Sequence, residues 1–542
     1  MLREECKLLM EKKVENIKKI LQEKPEYRET LFRRGYLITD RKIDNTDEYP
    51  FYDNWKVHKI KTFNVYVHKD QDFYEFTDDK LSIIMIGHAY NPFDMKYDEN
   101  ELLKDALDAY KKNKETFFDK ISEFTGIHLI VVFENDKLIA VQDCAGIKSC
   151  YFGIINSKKY ITSHPQLVAD ICNLEMDEFV KKLVSLKCYN IGNRYLPGNI
   201  TPYKELKRLG GNTYTQCIKN FKINRFYPTK EHFEVKNEKQ YKECINKIAI
   251  LMNKNIELAS KKWNNCAISL SGGMDSKTTL ATANGLYDKF KYFSFISKDS
   301  EAIDSNAAHE ICNSLKLKHE IYNIPSSNEE VKDFEILKKI INHNTSYFMN
   351  LPNHELRKYI YLYRLNGYDI ELKSWVSEIA RVFIERKYGM KMPQKLNERQ
   401  FNIFQTRYFM CPKVMHKADM YYYEFMKEIE LREPIYNYEH ADLFYWESRL
   451  GAWGTSVISS LDIAHKITMP FNNRKLIEVY LYFQHKDRKN DRVHKDVIEY
   501  SNKKIANMNI EIANKYFHSY RIIMERVYYY VRTIFYKKNR GK

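Results

Sequence analysis

Cys266-Ala-Ile-Ser269-Leu-Ser271-Gly272-Gly273-Met-Asp275-Ser276-Lys-Thr-Thr-Leu280 opens as a short apolar strand, turns at two glycines and runs on into helix-forming residues. Strand, glycine turn and helix in that order build a phosphate cradle. The glycines let the backbone turn tightly and approach an anion, the helix presents free N–H groups at its positive end, and the serine hydroxyls add donors. Asp275 sits among these donors, and a carboxylate beside phosphates is repulsive unless a divalent cation lies between them. The expected ligand is therefore a nucleotide with Mg²⁺, held by Ser269, Ser271, Gly272, Gly273, Asp275 and Ser276. A Walker loop would need G-x-x-x-x-G-K-[ST], which this is not. The plain alternative is a glycine-serine turn without a ligand; the strand before it, the helix after it and the embedded Asp275 argue against that.

The 542 residues around this loop exceed what one hydrophobic core supports, so two domains with extensions are expected. Hydrophobic residues at 44% and charged residues at 30% exclude wholesale disorder. There is no long unbroken apolar run, and Met1 to Lys13 is charged throughout without an apolar signal core, so no transmembrane segment and a cytoplasmic location are expected. Ten cysteines contain no C-x-x-C pair, which argues against a zinc site and for reduced thiols. The net charge of 88 − 72 = +16 is spread along the chain rather than gathered in a patch, and no nucleic-acid partner is expected.

Leu8, Leu9, Val14, Ile17, Ile20 and Leu21 have helical spacing and predict a surface helix ahead of the first domain. From Leu81 onward, LSIIMIGHAY, IHLIVVFENDKLIAVQD, SCYFGIIN and KYITSH read as strands, interrupted by a helical pattern from Glu101 to Phe124. A long helix from about Lys239 to Ser260 leads into the loop strand. Strand runs from Lys291, His319 and Gly367, separated by helical patterns, then predict a doubly wound parallel sheet. The fold class is α/β, with domains at 1–230 and 238–510 and a basic aromatic C-terminal helix at 511–542. That last stretch mixes Tyr516, Phe517, Tyr520, Tyr528, Tyr529, Tyr530, Phe535 and Tyr536 with Arg and Lys. It is read as a helix packing its aromatic stripe on the domain, in preference to a membrane or RNA contact.

Several segments together resemble asparagine synthetase and its relatives, which join an N-terminal glutaminase-type (Ntn) domain to an ATP pyrophosphatase domain. The likeness runs from about Leu81 to Ile477. Asp143-Cys-Ala-Gly146-Ile-Lys148-Ser-Cys-Tyr151-Phe152 resembles the family's D-x-x-G-x-x-x-L-Y-Y turn, and Thr201 to Leu209 resembles the segment closing that domain. Lys291 to Lys298, Asp304 to Ile311 and Leu317 to Ile321 resemble the second strand, acidic helix start and third strand of the pyrophosphatase domain. The resemblance implies an Ntn-type α/β sandwich followed by a parallel-sheet ATP pyrophosphatase domain with a helical extension.

Glutamine-using members carry a cysteine directly after the initiator methionine, whereas this chain has Leu2, with Cys6 in a lysine-rich helical segment. A nucleophile needs its base and oxyanion donors within hydrogen-bond reach, so a degenerate glutaminase kept as scaffold is expected. β-Lactam synthetase and lasso-peptide cyclases are relatives with that loss. The family's second metal loop, S-G-E-G-x-D-E, is matched by Ser374-Trp-Val-Ser377-Glu378-Ile-Ala-Arg381, without the glycines and the first acid. With Ser374 on the motif's serine, Glu378 falls one position short of the magnesium-binding aspartate. The resemblance implies Glu378 as second Mg²⁺ ligand opposite Asp275, and Arg381 near pyrophosphate or substrate; an ordinary helix start with an i, i+3 ion pair is the alternative.

Ser294 and Phe295, at a strand's carboxyl end, would lie beside adenine, or are simply core strand. Arg449 and Arg474 are candidates for substrate or phosphate contacts, or for interdomain ion pairs. Lys495 and Lys503 are both open as the lysine found late in several relatives. The catalytic set is Asp275, Glu378, Arg381 and Arg449. The activity implied is that of a ligase that adenylates a small-molecule or peptide carboxylate, releases pyrophosphate and passes the acyl group to ammonia or an amine, independently of glutamine. A homodimer is allowed for. The alternatives are a silent nucleotide-binding scaffold and an adenylating enzyme with a sulfur nucleophile.

Overall fold

The most apolar runs of the chain pair with each other. Ser82–Tyr90 and Thr125–Glu134 lie antiparallel, from Ser82 opposite Phe133 to Tyr90 opposite Thr125. Gly87 and Gly126 sit in this ladder at φ +112° and +134°, and a Cβ on either would stand 2.1 or 2.3 Å from a carbonyl oxygen of the facing strand. Only glycine allows that approach. The computed structural model describes residues 2–78, 80–191, 194–405, 411–508, 510 and 519–539, with side chains from residue 13 onward except those of 191, 519, 521 and 535–539.

The first part of the chain supplies β1 (Tyr36–Thr39), β2 (Trp55–Ile60), β3 (Phe63–His68), β4 (Phe73–Thr77), β5 (Ser82–Tyr90) and β6 (Thr125–Glu134). It continues with β7 (Lys137–Gln142), β8 (Tyr151–Ile155), β9 (Lys158–Thr162), β10 (Leu206–Arg208), β11 (Thr213–Cys217) and β12 (Phe221–Arg225). These form two six-stranded antiparallel sheets, ordered β10-β8-β9-β1-β3-β2 and β12-β11-β7-β6-β5-β4. Ile38, Phe63 and Val65 of the first and Ile84, Leu129 and Val131 of the second share one core. The helix Glu99–Lys112, capped by Asp98 through the Asn100 and Glu101 amides, buries Leu102, Leu103, Ala106 and Leu107.

Strand structure therefore begins at Tyr36, earlier than the Leu81 expected. β2 and β4 are sheet edges whose residues mix charge with partial exposure, and neither shows the apolar run that marks a central strand. The leading helix, Leu2–Glu23, is present and its Ile17 and Leu21 are buried in a core shared with Phe334, Leu337 and Ile341. The side chain of Cys6 lies outside the described residues.

The helix Glu238–Lys262, capped by Asn237, delivers the chain to β13 (Cys266–Ser269). With β14 (Phe290–Ile296), β15 (His319–Asn323), β16 (Ile370–Leu372) and β17 (Ile467–Thr468) it makes a five-stranded parallel sheet ordered β15-β14-β13-β16-β17. The fold is thus α/β: a two-sheet antiparallel sandwich followed by a doubly wound parallel sheet. Chain order runs outward from β13 in both directions. That reversal makes the crevice between the carboxyl ends of β13 and its neighbours the place where open sheets bind ligands. The tyrosine-rich helix, Ser519–Asn539, buries Tyr529 but leaves Tyr520 and Tyr530 exposed. Tyr516 and Phe517 lie outside the described residues, as do the side chains of Phe535 and Tyr536.

Burial holds His68, His128 and His164 down at about 4, 4 and 3, with the Asp70 and Asp143 carboxylates opposing the first two shifts and Lys148 reinforcing the third. The unfolded chain protonates these rings near 6.5, so stability is full above that pH and falls as acid approaches the folded values. The loss expected by pH 5 is on the order of 2 kcal/mol per histidine. Urea unfolding at pH 7 and pH 5 measures it, and equal midpoints would contradict the burial.

Candidate active site

At the carboxyl end of β13 the Leu270 amide donates to the Phe293 carbonyl (2.8 Å), which fixes where the strand stops and the loop starts. The loop then folds on its own serines. The Ser271 amide donates to Ser276 Oγ (3.2 Å), the two hydroxyls lie 3.1 Å apart, and the Gly273 amide reaches Ser271 Oγ at 3.3 Å. Gly273 has φ −69°, so no left-handed turn requires glycine there, and a Cβ would make a close contact of 3.3 Å with Ser271 Oγ. The helix Met274–Thr282 has no side-chain cap. Its first amides and positive end are left to an anion.

The facing wall follows β16. Ser374 Oγ donates to Thr279 Oγ1 (2.7 Å), tying this wall to the loop's helix. Beyond it a short 3₁₀ helix, Ser377–Arg381, is bracketed by Val376 at φ +71° and Val382 at φ +51°. β-Branched residues in that region are strained, and strain of this kind gathers where side chains must be aimed. Here it aims three. Ser377 Oγ donates to Asp275 Oδ1, Arg381 Nη1 donates to Asp275 Oδ2 (2.7 Å), and Glu378 stands close enough to feel the same carboxylate. Burial, then the charge of Asp275, pushes Glu378 up to about 7 against the pull of Arg381 and Arg449.

Arg381 is shared. Its Nε and Nη2 donate to the two oxygens of Asp491 at 2.8 and 3.0 Å, and Arg386 Nη1 reaches Asp491 Oδ1 at 2.7 Å. Burial opposes the charge on Arg381, but Asp275 and Asp491 together raise it above the ordinary guanidinium value. His494, one turn beyond Asp491, stands 3.8 Å from Asp275 Oδ1 and stacks on Tyr480. Burial, then Arg381, holds it down at about 4, so the ring is neutral at pH 7.

Arg449 comes from a π-helical stretch, Phe444–Gly454, a form that recurs at functional sites. Its guanidinium lies over Phe383 (5.0 Å), Trp453 (5.2 Å) and Tyr445 (5.8 Å) and donates to Tyr195 OH (2.9 Å). Trp453 stacks on Trp375 at 5.2 Å. These two rings, Phe295, Lys358 and Lys373 wall a cavity of about 390 Å³ that spans the carboxyl ends of β14 and β16.

The structure thus gathers Ser271, Asp275, Ser276, Glu378 and Arg381 about the loop, with Arg449 close enough to act on Glu378, and puts Phe295 on the wall of the neighbouring cavity. Ser294 is used differently, since its buried hydroxyl donates to the Leu270 carbonyl (2.7 Å) and pairs with His319. Arg474 is buried away from the loop, bonded to the neutral side chain of Asn212 (3.0 Å) and lying over Phe226, so it joins the two parts of the chain by a hydrogen bond in place of the ion pair expected. Lys495 and Lys503 are exposed. Sequence reasoning missed Ser377, Asp491 and His494, because nothing local marks residues whose role is to meet Asp275 from another element.

Residues 265–347 match the family model described as queuosine biosynthesis protein QueC. No curated protein matches. Among solved structures, an allosteric regulatory enzyme of purine biosynthesis is 9% identical over 58% of this chain and 83% of its own, at a TM-score of 0.24. A glutamine phosphoribosylpyrophosphate amidotransferase from B. subtilis, complexed with ADP and GMP, is 8% identical over 71% and 73%, at 0.22. A glutamine-dependent NAD⁺ synthetase from Acinetobacter baumannii, complexed with ADP, is 14% identical over 41% and 38%, at 0.17.

Replacing Arg381 by Leu leaves Asp275 without its cation and Asp491 with Arg386 alone, and both carboxylates are largely buried. A loss of about 2–3 kcal/mol is expected, partly recovered in Arg381→Leu/Asp275→Asn. Urea denaturation of the three proteins tests this; an Arg381→Leu protein as stable as the parent would show the ladder to be incidental. From its loop signature and its family match together, the parallel-sheet half of the chain carries a segment of the PP-loop ATP pyrophosphatase type.

Proposed function

We propose that the protein is an ATP-dependent ligase that adenylates a carboxylate and transfers the acyl group to ammonia or an amine. The observation that carries this is the uncapped helix Met274–Thr282, opening at the switch point of the parallel sheet and faced by Glu378, Arg381 and Arg449. The pyrophosphate of ATP would lie on the loop from Ser271 to Ser276, with adenine toward Phe295. The substrate carboxylate attacks the α-phosphorus; the loop amides, the two serines and Arg381 stabilise charge on the departing pyrophosphate. Ammonia or an amine then attacks the acyl carbon and AMP leaves. The aromatic wall around Arg449 excludes water, which would otherwise hydrolyse the adenylate.

Asp275 and Glu378 are the residues that would hold Mg²⁺. Magnesium is commonly bound by one or two carboxylates with phosphate oxygens completing its shell, and this pair fits that donor set. Among the described residues there is no group of three or more His, Cys, Asp or Glu that could hold a metal alone. When bound, the ion would neutralise the developing phosphate charge.

Independence from glutamine is supported at three of the sandwich's five described cysteines, which are buried. Burial pushes Cys144 and Cys150 up to about 12 and Cys217 up to about 11, so none of the three is a thiolate at neutral pH. The same observation speaks against sulfur transfer from these cysteines. The cavity's tryptophans and Phe295, with Lys358 and Lys373 beside them, favour a carboxylate substrate with an apolar or aromatic body.

One observation favours a second reading. Both oxygens of Asp275 are already engaged, by Ser377 and Arg381, as they would be in a binding protein that no longer turns ATP over. Pyrophosphate release from Mg-ATP separates the two, measured over a panel of aliphatic and aromatic carboxylates with ammonium, amines or glutamine. The ligase predicts carboxylate-dependent release, falling about 10²-fold or more in Asp275→Asn and indifferent to glutamine. Tight Mg-ATP binding with no release for any carboxylate would favour the silent protein.

A further inference from the structure

The helix Ser519–Asn539 packs against the helices Phe383–Tyr388 and Glu398–Gln405. Its inward side mixes polar and aromatic side chains. Arg526 donates to the carbonyl oxygens of Tyr388 (3.3 Å) and Gly389 (2.6 Å), Tyr529 stacks on Phe404 and accepts from Gln400 Nε2 (2.7 Å), and Glu525 and Arg532 are buried. The opposite side carries Tyr520, Ile523, Met524, Val527, Tyr530 and Ile534, each at least 50% exposed. Steps of three and four residues place all six on one stripe about four turns long. Single exposed apolar side chains are ordinary on a protein surface, whereas a continuous apolar stripe marks a contact.

Charge identifies the occupant. Between residues 519 and 542 the only acid is Glu525, which faces the protein, while Lys537 and Lys538 fall in the helix's last turn and Arg540 and Lys542 follow in the sequence. A second copy would bring the same positive charge, on a chain whose net charge is already +16, and like charges oppose that pairing. An anionic bilayer offers both what the stripe lacks and what the cations attract: acyl chains below the headgroups and negative charge at them. Tyr520 and Tyr530 are of the amphipathic kind that settles at that boundary. No described helix is long and apolar enough to cross a membrane, so the contact is peripheral.

We propose that Ser519–Asn539 is a membrane-surface helix that lays its Tyr520–Ile534 stripe into the headgroup region of an anionic bilayer. This stands independently of the ligase reading. Sedimentation of the full-length protein with vesicles tests it, using phosphatidylcholine alone or mixed with phosphatidylglycerol. Binding to the mixed vesicles is expected, weakening roughly tenfold or more between about 0.1 and 0.5 M salt. Ile523→Glu/Val527→Glu should abolish it without changing the thermal melt, since both side chains are exposed, and Lys537→Glu/Lys538→Glu should weaken it roughly tenfold or more. Failure to sediment with the mixed vesicles, or sedimentation untouched by Ile523→Glu/Val527→Glu, would overturn the proposal. So would a dimer of the parent protein that this double variant dissociates.

Discussion

One ion ladder ties the crevice together. Asp275 begins the helix after the phosphate loop, Arg381 ends the 3₁₀ turn after β16, and Asp491 precedes the helix Arg492–Ser501; the guanidinium bonds both carboxylates. Three segments more than a hundred residues apart in sequence thereby converge on one point. The neutral ring of His494 and the raised carboxyl of Glu378 follow from it, since each is set by burial beside the same charges. Removing a partner from such a group leaves an uncompensated charge, which makes the arrangement cooperative rather than a sum of pairs.

The sandwich grips the part of the chain that carries Arg449. The turn at Asp143 is held by its carboxylate, which accepts from the Ile147 and Lys148 amides and from Asn472 of the parallel-sheet half. From the same turn the Cys144 carbonyl accepts from Trp446 Nε1 and the Gly146 carbonyl from Thr455 Oγ1. Arg225 at the end of β12 clamps Glu447 with two bonds of 2.7 Å. These contacts grip the π-helical stretch on either side of Arg449 and Trp453. The sandwich thus holds in place the wall that carries Arg449 and Trp453.

Much of the fold was legible because its signals are local. The strand before Ser271, the helix from Glu238 and the strands at Phe290 and His319 all announce themselves by apolar runs and periodicity. β2 and β4 do not, since edge strands alternate charge with exposure and need no continuous apolar face. The aromatic residues of the C-terminal helix predict packing through one stripe, and the structure divides them: Tyr529 stacks on Phe404 inside, while Tyr520 and Tyr530 face outward. Which face of an amphipathic helix turns inward depends on what the neighbouring helices offer, and here Tyr388, Gly389 and Gln400 offer polar partners.

By itself the sequence determined the phosphate loop, because a cradle of amides and hydroxyls is built within a dozen consecutive residues. It also determined the succession of a strand-rich part and a part in which strands alternate with helices, since hydrophobic period and run length are properties of contiguous residues. Only the tertiary structure decided that Asp275 is ion-paired to Arg381, that Ser294 bonds a carbonyl, that Arg474 lies at the junction, and that Asp491 and His494 belong to the site. Those are relations between elements far apart in the chain. Such relations are set by how the elements pack and which charges burial forces into contact, and no window of sequence contains both partners.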